Sequence, residues 1–205
     1  MTREVHSGGG EPAPPAAETI TAAQAEADTR HWLEAAVIGL NLCPFAKAVH
    51  VKRQVHYAVH LAADDDAGLL DRLLAEADAL AGLDASERDT TLLMAPNTLA
   101  DFLDFNDFTA RAERRLARAG FEGTLQLASF HPRFQFAGTE ADDIGNATNR
   151  APYPTLHLLR EESIDRAVEA FPEAEAIFER NIETLEALGD DGWAALHVGP
   201  GGAAR

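Results

Sequence analysis

The 205-residue sequence predicts an α/β fold, a layered arrangement with a small mixed, mostly parallel sheet flanked by helices. Three observations carry that prediction. Runs of strand character alternate with stretches of helical spacing. The run TTLLMA at 90–95 is continuously apolar after two Thr, as a strand covered on both faces is. The first three strands are joined through helices, giving two β-α-β units that should be parallel with right-handed crossovers, whereas the fourth follows a long segment without a helix and is free to run antiparallel.

The elements follow in order. Apolar residues Trp32, Leu33, Ala36 and Val37 place a helix over about Thr21–Ile38. VHYAVHL at 55–61 alternates Val, Tyr, Val and Leu against His56, Ala58 and His60, the period of a strand. A stripe of Leu69, Leu70, Leu73, Leu74, Ala77 and Leu80 predicts a helix that Gly82 can stop. After the strand at 90–95, Thr98 is the expected cap of a helix carrying Leu99, Phe102, Phe105, Phe108, Ala112 and Leu116, with Asp101 near its positive end. The Phe residues of DFLDFNDF read as a core stripe with a solvated acidic face. TLQLASF at 124–130 and TLHLLR at 155–160 are the last two strands. A helix pair broken at Pro172 and ending at Gly189 closes the fold. Gly, Pro and Ala enrichment predicts a disordered tail over 1–18 and another over 197–205, leaving one globular domain at 19–196.

With 34 acidic and 17 basic residues the chain carries −17. That field opposes nucleic acid and anionic membranes, so neither is an expected partner. No run approaches the ~18 apolar residues of a membrane helix. The N-terminus lacks the apolar core of a secretory signal, and a single Cys precludes an internal disulfide; both point to the cytoplasm.

Ligands of open α/β sheets collect beyond the carboxyl ends of the strands. Here those ends are His60-Leu61, Pro96-Asn97 and His131-Pro132, and the last opens the longest irregular segment, 131–154. It holds Phe134, Phe136, Ile144 and Tyr153, enough apolar bulk to pack down, so it reads as an ordered lid. The lid is expected to position Arg150, Asn149 and Asn146 for substrate binding. From Asn41 to Leu61 there is no Asp or Glu but there are Lys47, Lys52, Arg53 and three His. If this stretch meets the lid, Lys47 and Arg53 join Arg150 in holding a carboxylate or phosphate; otherwise its basic residues are merely solvated.

His131, at a strand end, is the candidate acid/base, with Cys43 and His157 as catalytic assistants. Each has a plainer alternative. Cys43 before Pro44 fits a small buried hydrophobe as well as a nucleophile activated by Lys47 and His50. His131 and His157 fit hydrogen-bonded core residues. A divalent metal on His131, His157 and Asp143 stays open, although their spacing matches no ligand pattern. There is no phosphate-binding Gly loop, nucleophile elbow or dinucleotide fingerprint.

Three stretches together, WLEAAVIGLNLCPFAKAVH (32–50), ASFHPRFQFAG with DDIGNATNRAPYPTLHLLRE (128–161) and SIDRAV with FP (163–172), resemble the uncharacterised bacterial and plant proteins grouped as domain of unknown function 1415. The resemblance spans about Arg30 to Trp193 and implies no activity, substrate or site residue. The residues themselves suggest an enzyme acting on a small anionic metabolite at the carboxyl edge of the sheet, or a ligand- or partner-binding module using the same pocket without turnover.

Overall fold

The structure, a computed structural model, describes residues 20–170 and 176–204. The expected N-terminal tail at 1–18 and the break at Pro172 lie outside the described residues. Helix α1 spans Ala22–Trp32 and opens on Thr21, whose hydroxyl accepts from the Gln24 amide at 3.1 Å. It passes into a π-helical stretch, Leu33–Ile38. A short helix α2, Ala46–Val51, leads into strand β1, Val55–Val59. Helix α3 (Asp66–Gly82), strand β2 (Thr90–Met94), helix α4 (Phe102–Arg118) and strand β3 (Leu125–Phe130) follow. The lid contains a 3-10 turn, Ile144–Asn149, before strand β4, Thr155–Arg160. Helices α5 (Glu161–Ala170) and α6 (Ile177–Ala195) complete the set.

The sheet order is β1-β2-β4-β3, and β2 is interior, as its apolar run predicts. The pair β1–β2 is parallel, whereas β4 is antiparallel to both neighbours, β2 and β3. Three strands therefore point one way, but β4 is inserted between two of them, so one pairing in the sheet is parallel and "mostly parallel" holds only for strand direction. The carboxyl ends of β1, β2 and β3 consequently share an edge with the start of β4, where Met94 and Phe130 both pair with Thr155.

Each face buries its own core. On one, Ala58, Leu93, Leu156 and Leu158 meet Leu69, Leu73 and Leu80 of α3 and Phe105, Phe108 and Leu116 of α4. Phe105 and Phe108 are fully buried, each contributing about 2–3 kcal/mol by removal from water, while Leu103 faces solvent. On the other face Leu92 and Met94 pack on Trp32, Leu33, Ala36 and Val37.

Two expectations need correction. Thr98 does not cap α4; Asp101 does, accepting from the Leu103 amide at 2.8 Å. Thr98 instead donates to the Ala62 carbonyl and accepts from the Asp65 amide, tying the β1–α3 loop to the end of β2. A carboxylate satisfies amides at the positive end of a helix better than a hydroxyl, so the acid takes the cap. The segment after Leu196 is not a loose tail. It turns through a 3-10 segment at Gly202–Ala204, with Val198 and Gly202 buried. Glycine and proline there shape a tight strap held by a buried carboxylate.

Candidate functional site

Strand parity decides where the sheet histidines go. Leu125, Leu127, Ser129 and His131 alternate with Phe130, so His131 turns toward α4. Its ring lies 5.4 Å from Phe102 and 5.1 Å from Phe105, and it is almost fully buried. Nδ1 accepts from the Arg133 amide at 3.0 Å, which leaves Nε2 to donate to the Leu99 carbonyl at 3.1 Å. Both nitrogens are satisfied by backbone. Burial lowers the pKa, only partly opposed by the Leu99 bond. His157 occupies the opposite face, beside Phe130. Thr90 gives its hydroxyl proton to the Leu158 carbonyl, so it accepts from His157 Nε2 at 2.6 Å. Desolvation pushes His157 down to about 4. The two rings are separated by the sheet.

Cys43 follows the π-helical stretch and packs beside the core on the α1 face. Burial raises its pKa despite the Phe45 and Ala46 amides at its sulfur. Asp143 accepts from the Gly145 amide at 2.8 Å and starts the 3-10 turn. Among the described residues no group of three or more His, Cys, Asp or Glu side chains is placed to hold a metal ion. The suggested set His131, His157 and Asp143 is thus split by the sheet and by backbone hydrogen bonds.

The lid is ordered, and its polar residues explain how. Asn146 is fully buried. Its carbonyl accepts from the Phe136 amide at 2.9 Å and the Thr139 hydroxyl at 2.8 Å, and its Nδ2 donates to the Glu140 carbonyl at 2.8 Å. Asn149, at the end of the 3-10 turn, ties the lid to the end of β3, its carbonyl accepting from the His131 amide at 3.1 Å and its Nδ2 donating to the Ser129 carbonyl at 3.3 Å. Phe134 and Phe136 meet edge to face at 4.9 Å, and Phe136 meets Phe178 of α6 in the same way at 5.4 Å. From α6, Asn181 donates to the Leu42 carbonyl at 2.9 Å, and Leu185 packs with Leu42 and Ala147. Asn146 therefore spends its side-chain amide within the lid and Asn149 on fastening the lid to β3.

Where lid, α6 and strap meet, the surface opens into a cleft of about 370 Å³ lined by Arg150, Pro132, Pro152, Trp193, His197 and the strap backbone. This is the carboxyl edge of the sheet. Arg150 donates from Nη2 to the Ala141 carbonyl at 2.6 Å and from Nε to the Phe134 carbonyl at 3.4 Å. It makes no ion pair with a carboxylate among the described residues. Burial lowers its pKa, with Asp190 and Asp143 acting in the opposite sense. Cys43, Lys47, Arg53, His131 and His157 do not line this cleft, and Lys47 and Arg53 point into solvent near β1. Of the two basic stretches, only the lid's contributes to this cleft, through Arg150.

The strap is the part that sequence reasoning missed. It is held by Asp28 of α1, which is fully buried. Asp28 accepts from the Gly201 amide at 2.8 Å, the Ala203 amide at 3.1 Å, the Tyr153 hydroxyl at 2.7 Å and Gln24 Nε2 at 3.0 Å. Burial pushes the Asp28 pKa up, but these four donors together hold it below the ordinary value. His31 adds a bond to the Leu196 carbonyl at 2.9 Å. The available signal was an acid on the apolar stripe of a helix, Asp28 between Ala25 and Trp32.

The molecule is thus an α/β protein with a mixed four-stranded sheet and a lid-and-strap cleft at the carboxyl edge. It belongs to the family described as protein of unknown function (DUF1415), whose model matches residues 24–195. The match begins two residues inside α1, includes the sheet, the lid and Arg150, and ends before the strap. No curated protein and no solved structure matches the chain. Among the described residues no helix is long and apolar enough to cross a membrane.

Proposed function

We propose that this protein binds a small anionic molecule in the cleft between lid and strap, with Arg150 as the anchor. The observation that carries the reading is that Arg150 lines the cleft, is held in place by two lid carbonyls and lacks a paired carboxylate. A half-buried guanidinium fixed in this way retains free N–H donors for a forked contact with a carboxylate or phosphate. Trp193 and Val198 supply an apolar wall, which suits an organic acid or organic phosphate with a compact carbon skeleton. The −17 net charge opposes polyanions, so the ligand should be small.

Binding without turnover is favoured over the enzyme reading. The acid/base candidates the sequence offered, His131, Cys43 and His157, serve the two cores instead, which leaves His197 as the one imidazole lining the cleft and no second acid/base group beside it in the lining. The test is thermal shift of the full chain against a panel of carboxylates and phosphates. A ligand at 100 times its Kd adds about 2.7 kcal/mol, roughly 5–10 °C for a domain of this size. Arg150→Gln should abolish the shift, while Lys47→Ala and Arg53→Ala keep it. The reading fails if no anion shifts the wild type, or if a folded Arg150→Gln variant responds equally.

A further inference from the structure

Strand β1 ends the sheet on one side. Gln54 accepts from the Asp89 and Thr90 amides and His60 donates to the Met94 carbonyl, so the even-numbered residues of β1 face β2. In a parallel ladder alternate residues point the other way. The amides and carbonyls of Val55, Tyr57 and Val59 therefore face outward, and no backbone partner for them exists among the described residues. An edge of this kind is a template for another strand.

Its flanks have opposite charge. Lys52 and Arg53 precede β1, Asp64 follows it, and all three are exposed. No Asp or Glu lies in the chain between Glu34 and Asp64; the acids nearest β1 come from neighbouring elements, Glu26 and Glu34 beside Tyr57 and Glu76 beside His56, with Arg30 over the Tyr57 ring among the bases that face them. Two large apolar side chains, Val51 and Leu61, are exposed at its two ends, 70% and 41%. The Tyr57 hydroxyl, at the strand's centre, is buried and has no hydrogen-bond partner among the described residues.

We infer that β1 pairs antiparallel with β1 of a second copy of this chain, about a twofold axis at Tyr57. Parity restricts the register to outward residues opposite outward residues, and of those registers only the one centred on Tyr57 pairs all three, with Tyr57 facing its own equivalent and Val55 facing Val59. Beyond β1 the chain leaves the ladder, since His50 and Val51 belong to α2, but antiparallel pairing still brings the residues before β1 of one copy to the residues after β1 of the other. Each copy then lays Lys52 and Arg53 beside the other's Asp64, at two symmetric junctions, and covers the exposed Val51 and Leu61. The result is one continuous eight-stranded sheet, β3-β4-β2-β1 joined to its mate. The lid-and-strap cleft does not contribute to this edge.

Charge exchange tests the register. The double variant Lys52→Glu/Arg53→Glu places acids beside Asp64, and Asp64→Lys places a base beside Lys52 and Arg53. Each alone should weaken self-association at least tenfold in Kd by sedimentation velocity at low salt. An equimolar mixture should recover it, because a heterodimer restores an opposite-charge pair at both junctions. In unmodified protein, hydrogen exchange at the Tyr57 and Val59 amides should slow as concentration rises. A wild type that stays monomeric at about 100 µM (a concentration above the Kd of any stable dimer) overturns the inference. So does a dimer that neither variant weakens, a mixture that does not recover, or protection that grows at β3 and not at β1.

Discussion

The Tyr153 hydroxyl donates to the Asp28 carboxylate at 2.7 Å, joining the approach to β4 to the first helix across 125 residues of chain. Two amides of the strap reach the same carboxylate. One buried acid thus fixes the lid's exit, α1 and one wall of the cleft. Asp28→Asn keeps the volume but turns one acceptor into a donor, facing amides that can only donate. It should cost about 2–3 kcal/mol, the penalty of a lost charge-assisted network, and free the strap. Urea unfolding gives the first quantity, and hydrogen exchange at Gly201 and Ala203 reads the second. Gly202→Ala opens the strap from the other side, because a Cβ there would lie 1.7 Å from the His197 carbonyl oxygen. If both variants leave those amides protected, Asp28 does not hold the strap.

How much of this was visible in the sequence depends on the range of the forces involved. The strands and long helices were legible because their periods of 2 and 3.6 are local. The insertion of β4 between β2 and β3 was not, since strand order is set by packing of residues far apart in sequence. The lid was legible through Phe134 and Phe136, which do pack it down. His131 was misleading: its place at a strand end suggested a ligand edge, although its parity with Leu125 and Leu127 already aimed it at α4. The strap was hidden by composition, because glycine and proline read alike in a loose tail and in a tight turn. Lys47 in α2 and Arg53 just before β1 are exposed, and neither lines the cleft.

Acid should destabilise the fold through His157. Its Nε2 proton is committed to Thr90, and a second proton on Nδ1 would enter the core beside Phe130. The folded group titrates at about 4, whereas the free imidazole titrates at 6.5. Below pH 6.5 the unfolded chain takes up the proton first, so the stabilisation is complete above about 6.5 and is lost as pH falls toward 4. The full loss is on the order of 3 kcal/mol. His131, also lowered by burial, acts in the same direction. His157→Gln keeps a donor for Thr90 and should flatten the dependence of urea midpoint on pH between 7 and 5. An unchanged slope would place the acid sensitivity elsewhere.

Cys43 should behave as a packing residue. Its thiol is held above the ordinary range by burial, against the helping amides of Phe45 and Ala46. The thiolate is the reactive form, so alkylation at pH 8 should be at least about tenfold slower in the folded protein than in urea. Cys43→Ala should cost about 1 kcal/mol for the lost sulfur volume and leave anion-induced thermal shifts intact. Rapid labelling at pH 7 in the native state would reopen a chemical role.

The lid should be a separable unit governed by Asn146. Its side chain closes the turn between Phe136 and Glu140 with three hydrogen bonds, in a position with no exposure at all. Asn146→Ala strands the Phe136 amide and takes from the Glu140 carbonyl one of its two donors, the other being the Asp143 amide, a loss of about 2–3 kcal/mol. Asn146→Asp retains the acceptor for Phe136 and Thr139 but sets a carboxylate against the Glu140 carbonyl, so it should be no better. In either variant, hydrogen exchange should rise across 134–149 while Leu93 and Leu158, in the sheet interior, stay protected. Anion binding should weaken as well, since Arg150 hangs from the Phe134 and Ala141 carbonyls of the same loop. A lid that loosens without changing the anion response would separate the cleft from the lid and leave Arg150 positioned by α6 alone.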